Sequence, residues 1–167
     1  MPPQLASIFS SPTVRMCFAA LLAFSLDQLS KIVVLHVLDL AVVHTMPVWP
    51  PYLNFLMAWN KGVNFGIFSS FDFRWLLVAL SIAVSIGLAV WTRDKRGWML
   101  PLAAGTVVGG ALGNALDRVI YGAVVDFINM SCCGISNPYA FNVADVLIIF
   151  GLVLFMIGQD KEQPSSS

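Results

Sequence analysis

The chain has 167 residues, of which 58% are hydrophobic and only 11% charged, whereas a soluble domain averages about 45–50% apolar and about 25% charged residues. Nine basic side chains balance nine acidic ones, so the basic face that a nucleic-acid partner requires is missing, and the apolar content excludes disorder across the chain. The length indicates one domain, and the composition places it in a membrane.

A helix crossing ~30 Å of hydrocarbon needs about 20 mostly apolar residues, and four segments meet that need. The first covers about 14–38 and is broken by Asp27, Gln28 and Lys31. Arg15 ahead of CFAALLAFSL resembles a signal peptide, but no small-residue cleavage site follows, so a retained first helix is expected. Residues 39–72 are aromatic and rich in turn formers. Pro47, Pro50 and Pro51 exclude a regular helix there, and the alternation around Tyr52, Asn54 and Leu56 permits short strands. So many rings outside the spans suit a surface lying on the interface.

The second span, about 73–91, has no charge after Arg74. It leads into Thr92-Arg-Asp-Lys-Arg-Gly97, a tight basic hairpin that is expected in the cytoplasm. The third span, about 98–116, has no charge, and its Gly105, Gly109 and Gly113 recur every four residues, a pattern that lets helices approach closely. A shorter outer segment, 117–140, carries Asp117, Arg118, Asp126 and Cys132-Cys133. The fourth span, about 139–158, holds Asp145 near its start. An even number of spans puts both termini in the cytoplasm. The fold expected is an all-α membrane protein of four spans with a small outer β-cradle over about 39–72. It forms a single domain over 1–160, followed by a disordered cytoplasmic tail, 161–167.

An ionisable residue within a span costs roughly 2.5–3.5 kcal/mol on insertion scales, so each one raises a functional question. Asn142 and Asp145 are three apart and share a helix face; both residue types also serve as helix N-caps. Capping explains one of them but not why the acid precedes so apolar a run. Asp126 is flanked by Val124, Val125, Phe127 and Ile128, so its pKa should rise unless it is paired. A surface strand with the acid turned to water is the other reading, and the residues leave both open. Asn114 and Asp117-Arg118 close the third span, where Arg118 could pair with Asp117 or another carboxylate. Asp27 and Lys31 form an i, i+4 pair, read as mutual neutralisation.

The inventory lacks a G-x-S-x-G elbow, an H-E-x-x-H, a P-loop and a dinucleotide fingerprint. Two histidines and three cysteines without a cluster make a catalytic metal unexpected, and no cofactor is required. Acids remain. Two neighbouring carboxylates share a proton, so that one serves as general base for water and the other as general acid for a carbonyl. Asp126 and Asp145 are the best-placed pair.

With these residues in view, the sequence resembles the bacterial lipoprotein signal peptidases, or type II signal peptidases. Five ordered motifs carry the likeness: Asp27-Gln-Leu-Ser-Lys31, Trp59-Asn-Lys-Gly62 with Phe65, Gly113-Asn-Ala-Leu-Asp-Arg118, Val124-Val-Asp-Phe127 and Phe141-Asn-Val-Ala-Asp145. The resemblance implies a membrane-embedded aspartyl protease that removes signal peptides from prolipoproteins, cutting before a diacylglyceryl-modified cysteine. It implies Asp126 and Asp145 as the catalytic pair. Asn60, Gly62, Asn114, Asp117, Arg118 and Asn142 would be substrate-binding or dyad-supporting positions, with Asp27 and Lys31 a structural polar pair. It further implies membrane lipid as surroundings, globomycin as inhibitor, a monomer, and the inner membrane as location. Departures are Ser30 where the family usually has Thr, Val63-Asn64 after Gly62, and the Cys132-Cys133 pair.

The rival class is a small proton- or ion-conducting subunit using Asp27, Lys31, Asp117 and Asp145 as a relay. Against it, spans two to four carry no polar path in their inner halves.

Overall fold

The computed structural model describes residues 11–62, 72–95, 97–132 and 137–162. Phe65, the Val63-Asn64 departure, Arg96, Cys133 and the last five tail residues lie outside the described residues.

Helix α1 spans Pro12–Ile32, with Pro12 in the first turn, where its missing N–H costs nothing. It continues as a π-helical turn, Val33–Val37, and stops at Asp39, whose φ of 48° is left-handed. A four-residue helix, α2 (Leu40–Val43), then leads into strands β1 (Thr45–Trp49) and β2 (Leu53–Asn60). The two strands are antiparallel, joined through Pro50 and Pro51 by a turn in which Tyr52 N–H donates to the Trp49 carbonyl. Helix α3 covers Arg74–Thr92, α4 Met99–Tyr121, and α5 Val143–Glu162. Between the last two lies β3, Val124–Met130.

The sheet has the order β1-β2-β3, so a strand from the second outer segment completes the hairpin from the first. Strands β2 and β3 pair antiparallel, with Ala58 opposite Asp126 and Asn60 opposite Val124. A register shift between Phe55 and Ala58 puts two residues of β2 against one of β3 next to Asp126. Beneath the sheet, Val34, Leu35, Leu40, Val125 and Phe127 form one buried cluster, against which Phe55 and Val143 pack. The end of α1, the sheet and the start of α5 are thereby fixed to one another.

Among the described residues, three helices are long and apolar enough to cross a membrane: the continuous Pro12–Val37, Arg74–Thr92 and Met99–Tyr121. The fourth expected segment is helical, but its apolar part, Val143–Gln159, is shorter. Helix α4 is the centre of the bundle, and the other three pack around it. A Cβ at Gly105 or Gly109 would run into the backbone oxygen of Met16 or Ala20 in α1, and one at Gly113 would meet the Asp27 carboxylate. On the opposite flank Gly110 faces Ala144 and Ile148 of α5. The glycine stripe lets α1 approach closely enough for Asp27 to reach α4.

Three boundaries differ from expectation, the first being the start of α5 at Val143, four residues after the expected start. Helix α4 runs five residues beyond the expected end of its span, because Asp117 is buried within the protein instead of marking an exit to water. It stops at Gly122, whose φ of 75° closes the helix with an N–H bond to the Arg118 carbonyl. Helix α5 runs to Glu162, into the expected tail, since no proline interrupts the chain before Pro164. At the end of the bundle away from the sheet, Arg15 donates to the Gly97 carbonyl at 3.0 Å and lies 4.1 Å over the Trp98 ring.

Replacing Gly109 by Ala is expected to lower thermal stability in detergent, since overpacking costs typically 1–3 kcal/mol, roughly. Gly87→Ala, where an added Cβ meets nothing within 4 Å, should show no loss. Equal unfolding temperatures for the two variants would contradict the packing described.

Candidate active site

Asn142 begins α5. Its Oδ1 accepts from the Asp145 N–H at 3.0 Å, and Asp145 Oδ2 accepts from the Asn142 N–H at 3.1 Å, a reciprocal capping box. The next free N–H of that turn, on Ala144, donates to Asp27 Oδ1 of α1 at 3.0 Å. Side chains thus take three N–H groups that the first helical turn cannot satisfy by itself. The cap occupies one oxygen of Asp145; the other, Oδ1, accepts from Asn114 Nδ2 at 3.0 Å. Capping does not exclude a further role for this half-buried carboxylate.

Asp126 is 2% exposed. Its Oδ1 accepts from Asn142 Nδ2 at 2.6 Å and its Oδ2 from Asn60 Nδ2 at 3.0 Å. The surface-strand reading, in which the acid turns to water, is therefore not what the strand does: the side chain points inward. Pairing of Ala58 with Asp126 puts Asn60, two residues on, on the same face of the sheet. Asn60 is held with its amide the right way round because its Oδ1 accepts from Gly62 N–H at 2.9 Å. Gly62 has φ of 88°, and a Cβ there would lie 2.7 Å from Leu77 Cδ1, so the turn requires glycine.

Asn142 therefore holds both aspartates: its side-chain Nδ2 donates to Asp126, its backbone N–H donates to the Asp145 carboxylate, and its Oδ1 accepts from the Asp145 N–H. Burial pushes the Asp126 carboxyl up to about 6, and the charge of Asp145 adds to the rise. The Asn60 and Asn142 amides and the Lys31 ammonium oppose it.

Lys31 stands behind this pair. Its Nζ is 2.7 Å from Asp27 Oδ2, 2.7 Å from Asp117 Oδ2 and 3.0 Å from Asn114 Oδ1. The polar pair Asp27–Lys31 is thus a triad completed by Asp117. Gln28, which sequence reasoning quoted without assigning a role, ties Asp27, Asp117 and the Gly113 carbonyl together. Its place beside Asp27 within an apolar run was the available signal. Asp117 also accepts from Val125 N–H at 3.1 Å, next to Asp126.

Among the described residues Arg118 makes neither of the pairings open to it, with Asp117 or with another carboxylate; Asp117 is taken by Lys31. Arg118 donates to the Asn114 carbonyl at 3.2 Å, and its buried Nε has no hydrogen-bond partner. It lies in the field of Asp117, Asp126 and Asp145. Asn129 is another residue that sequence reasoning missed. Buried in β3, it donates to the Asn137 and Tyr139 carbonyls at 2.7 and 2.8 Å, pinning the chain that returns to Asn142. Among the described residues, no group of three or more His, Cys, Asp or Glu is placed to hold a metal ion.

Residues 19–159 match the model of the family described as signal peptidase (SPase) II. The chain is 43% identical over 150 residues to the lipoprotein signal peptidase of Methylorubrum extorquens (strain PA1), covering 87% of this chain and 85% of that protein. It is 42% identical over 134 residues to the lipoprotein signal peptidase of Caulobacter vibrioides, covering 79% and 78%. Two solved structures of bacterial membrane enzymes, determined by the in meso method, superpose with TM-scores of 0.71 and 0.73 at 26% and 27% identity. The first covers 91% of each chain; the second covers 89% of this chain and 94% of its own.

Removing the Asn60 amide by Asn60→Ala takes away a donor that favours ionised Asp126, so its titration should move above about 6. Carboxyl carbon chemical shifts followed against pH measure this directly. An unchanged or lower midpoint would contradict the assignment.

Proposed function

This chain belongs to the signal peptidase II family and is an aspartic endopeptidase of lipoprotein precursors; from that premise we propose that Asp126 and Asp145 are its catalytic pair. The observation that carries this is the shared hold of Asn142 on both carboxylates. Asp126, buried and raised to about 6, holds the proton and acts as the acid. Asp145 is more open and acts as the base. Water attacks the scissile carbonyl carbon as Asp145 takes its proton and Asp126 protonates the carbonyl oxygen. Collapse of the resulting diol breaks the C–N bond as Asp145 passes its proton to the leaving amine and Asp126 takes one back from a diol hydroxyl. No covalent enzyme intermediate forms.

Asn60, Asn114 and Asn142 position the pair, and Gly62 fixes Asn60. Asp117 supports the strand beside Asp126, and Arg118 supplies donors to substrate carbonyls. The substrate is a prolipoprotein whose cysteine carries diacylglyceryl, and globomycin occupies the same site. Helix α5 serves as a fourth span, its 20 residues being about 30 Å long. The bundle sits in the bacterial inner membrane as a monomer. Arg15, Arg93 and Lys95 lie on the cytoplasmic side with both termini, and the sheet rests on the outer leaflet. A conducting subunit would need a polar path toward the inner side. The groove of about 320 Å³ between α1, α4 and α5 is instead lined by apolar side chains such as Phe18, Leu22, Leu102 and Phe150.

Asp126→Asn or Asp145→Asn alone should abolish cleavage of a diacylglyceryl-modified prolipoprotein while the variant still inserts and accumulates. Full activity in either purified variant would exclude the dyad. A tag in the Arg93–Arg96 hairpin should report the cytoplasm; exposure outside would reverse the topology.

A further inference from the structure

We propose that Lys31 is a positioning residue for the reaction, fixing through Asn114 the orientation of the two amides that hold the catalytic aspartates. The inference rests on the dyad reading above. A primary amide can sit in either of two orientations, and only its donor-acceptor partners decide between them. The Lys31 ammonium, 3.0 Å from Asn114 Oδ1, can only donate. It forces the oxygen of Asn114 toward itself and the nitrogen toward Asp145 Oδ1. The same oxygen accepts from Asn142 Nδ2 at 3.0 Å, and that nitrogen donates onward to Asp126 at 2.6 Å. The chain Lys31–Asn114–Asn142 thus branches to both carboxylates.

A flipped Asn114 would turn its oxygen on Asp145 and its nitrogen on Asn142, losing both bonds at once. Lys31 is itself immobile: its side chain is 3% exposed and lies between Asp27 and Asp117. Neutralising those two acids is a structural duty that a lysine on α1 could perform without reaching Asn114. The third contact is the one that extends into the site.

Lys31→Met alone would leave two buried carboxylates without a counter-charge. The test therefore uses Lys31→Met/Asp117→Asn and Lys31→Met/Asp27→Asn, which keep the net charge of the cluster. An asparagine oxygen can still accept from Val125 N–H or Ala144 N–H respectively. Turnover of a diacylglyceryl-modified lipopeptide by each purified, folded variant is measured across pH beside Asp126→Asn. We expect kcat to fall by roughly 10- to 100-fold, the scale of a small misplacement, with KM nearly unchanged.

The basic limb of kcat/KM should also move upward. Asp126 is faced by Lys31 from α1, Arg118 from α4, Asp145 from α5, the Asn142 amide at its cap and the Asn60 amide from β2; each double loses the ammonium, which favours the ionised form, together with a carboxylate that is not among the groups acting on Asp126. Parental kcat and pH profile in either folded double variant would overturn the proposal. So would failure of both doubles to fold, which would leave Lys31 a role in stability alone. An active Asp126→Asn would instead remove the dyad itself, so the two failures are distinguishable.

Discussion

A single ammonium organises the polar interior. Lys31 lies 2.7 Å from each of two carboxylates, Asp27 on its own helix and Asp117 on α4. In an apolar body none of these charges could stand alone, because a buried ion without a partner costs several kcal/mol, roughly. Each carboxylate then spends its remaining acceptors on a backbone N–H elsewhere. Asp27 caps α5 at Ala144, and Asp117 holds β3 at Val125. One ion cluster thus ties α1, α4, α5 and the sheet together at the point where the site is built.

The site follows from the same demand that polar groups be satisfied. Helix α5 must end its N-terminal donors somewhere, and Asn142 with Asp145 does this locally. Strand β3 must pay the cost of an inward acid, and Asn60 and Asn142 reduce it without cancelling it, since Asp126 still stands at about 6. Asn142 belongs to both solutions. The two carboxylates come together because one residue answers two separate needs, and an acid poised near neutrality beside a second carboxylate is suited to general acid–base work.

Much of this was legible in the sequence. Continuous apolar runs locate helices because hydrocarbon admits little else, and the glycine period of α4 announced a close neighbour. Polar residues inside those runs pointed to the candidate site, since a charge there needs a reason. Three things were hidden by long-range pairing. Strand β3 reads as an apolar stretch because both of its faces are covered, and its partner β2 is more than sixty residues away. Asp117 was one of the carboxylates open to the adjacent Arg118, whereas the lysine that claims it comes from α1. Asn142 and Asp145 posed a choice between cap and function that spacing could not resolve; in three dimensions they cap α5 and also meet Asp126 and Asn114, so the cap leaves room for the proposed role.

Within this network Asp126 holds its proton up to about pH 6, above the ordinary carboxylate range. Infrared spectra of the detergent-solubilised protein, recorded across pH 4 to 8, test it through the carboxylic-acid carbonyl band. A component should disappear with a midpoint about 6, be absent from Asp126→Asn, and survive with a lowered midpoint in Asp145→Asn. A spectrum in which Asp126→Asn removes no titrating band would contradict it.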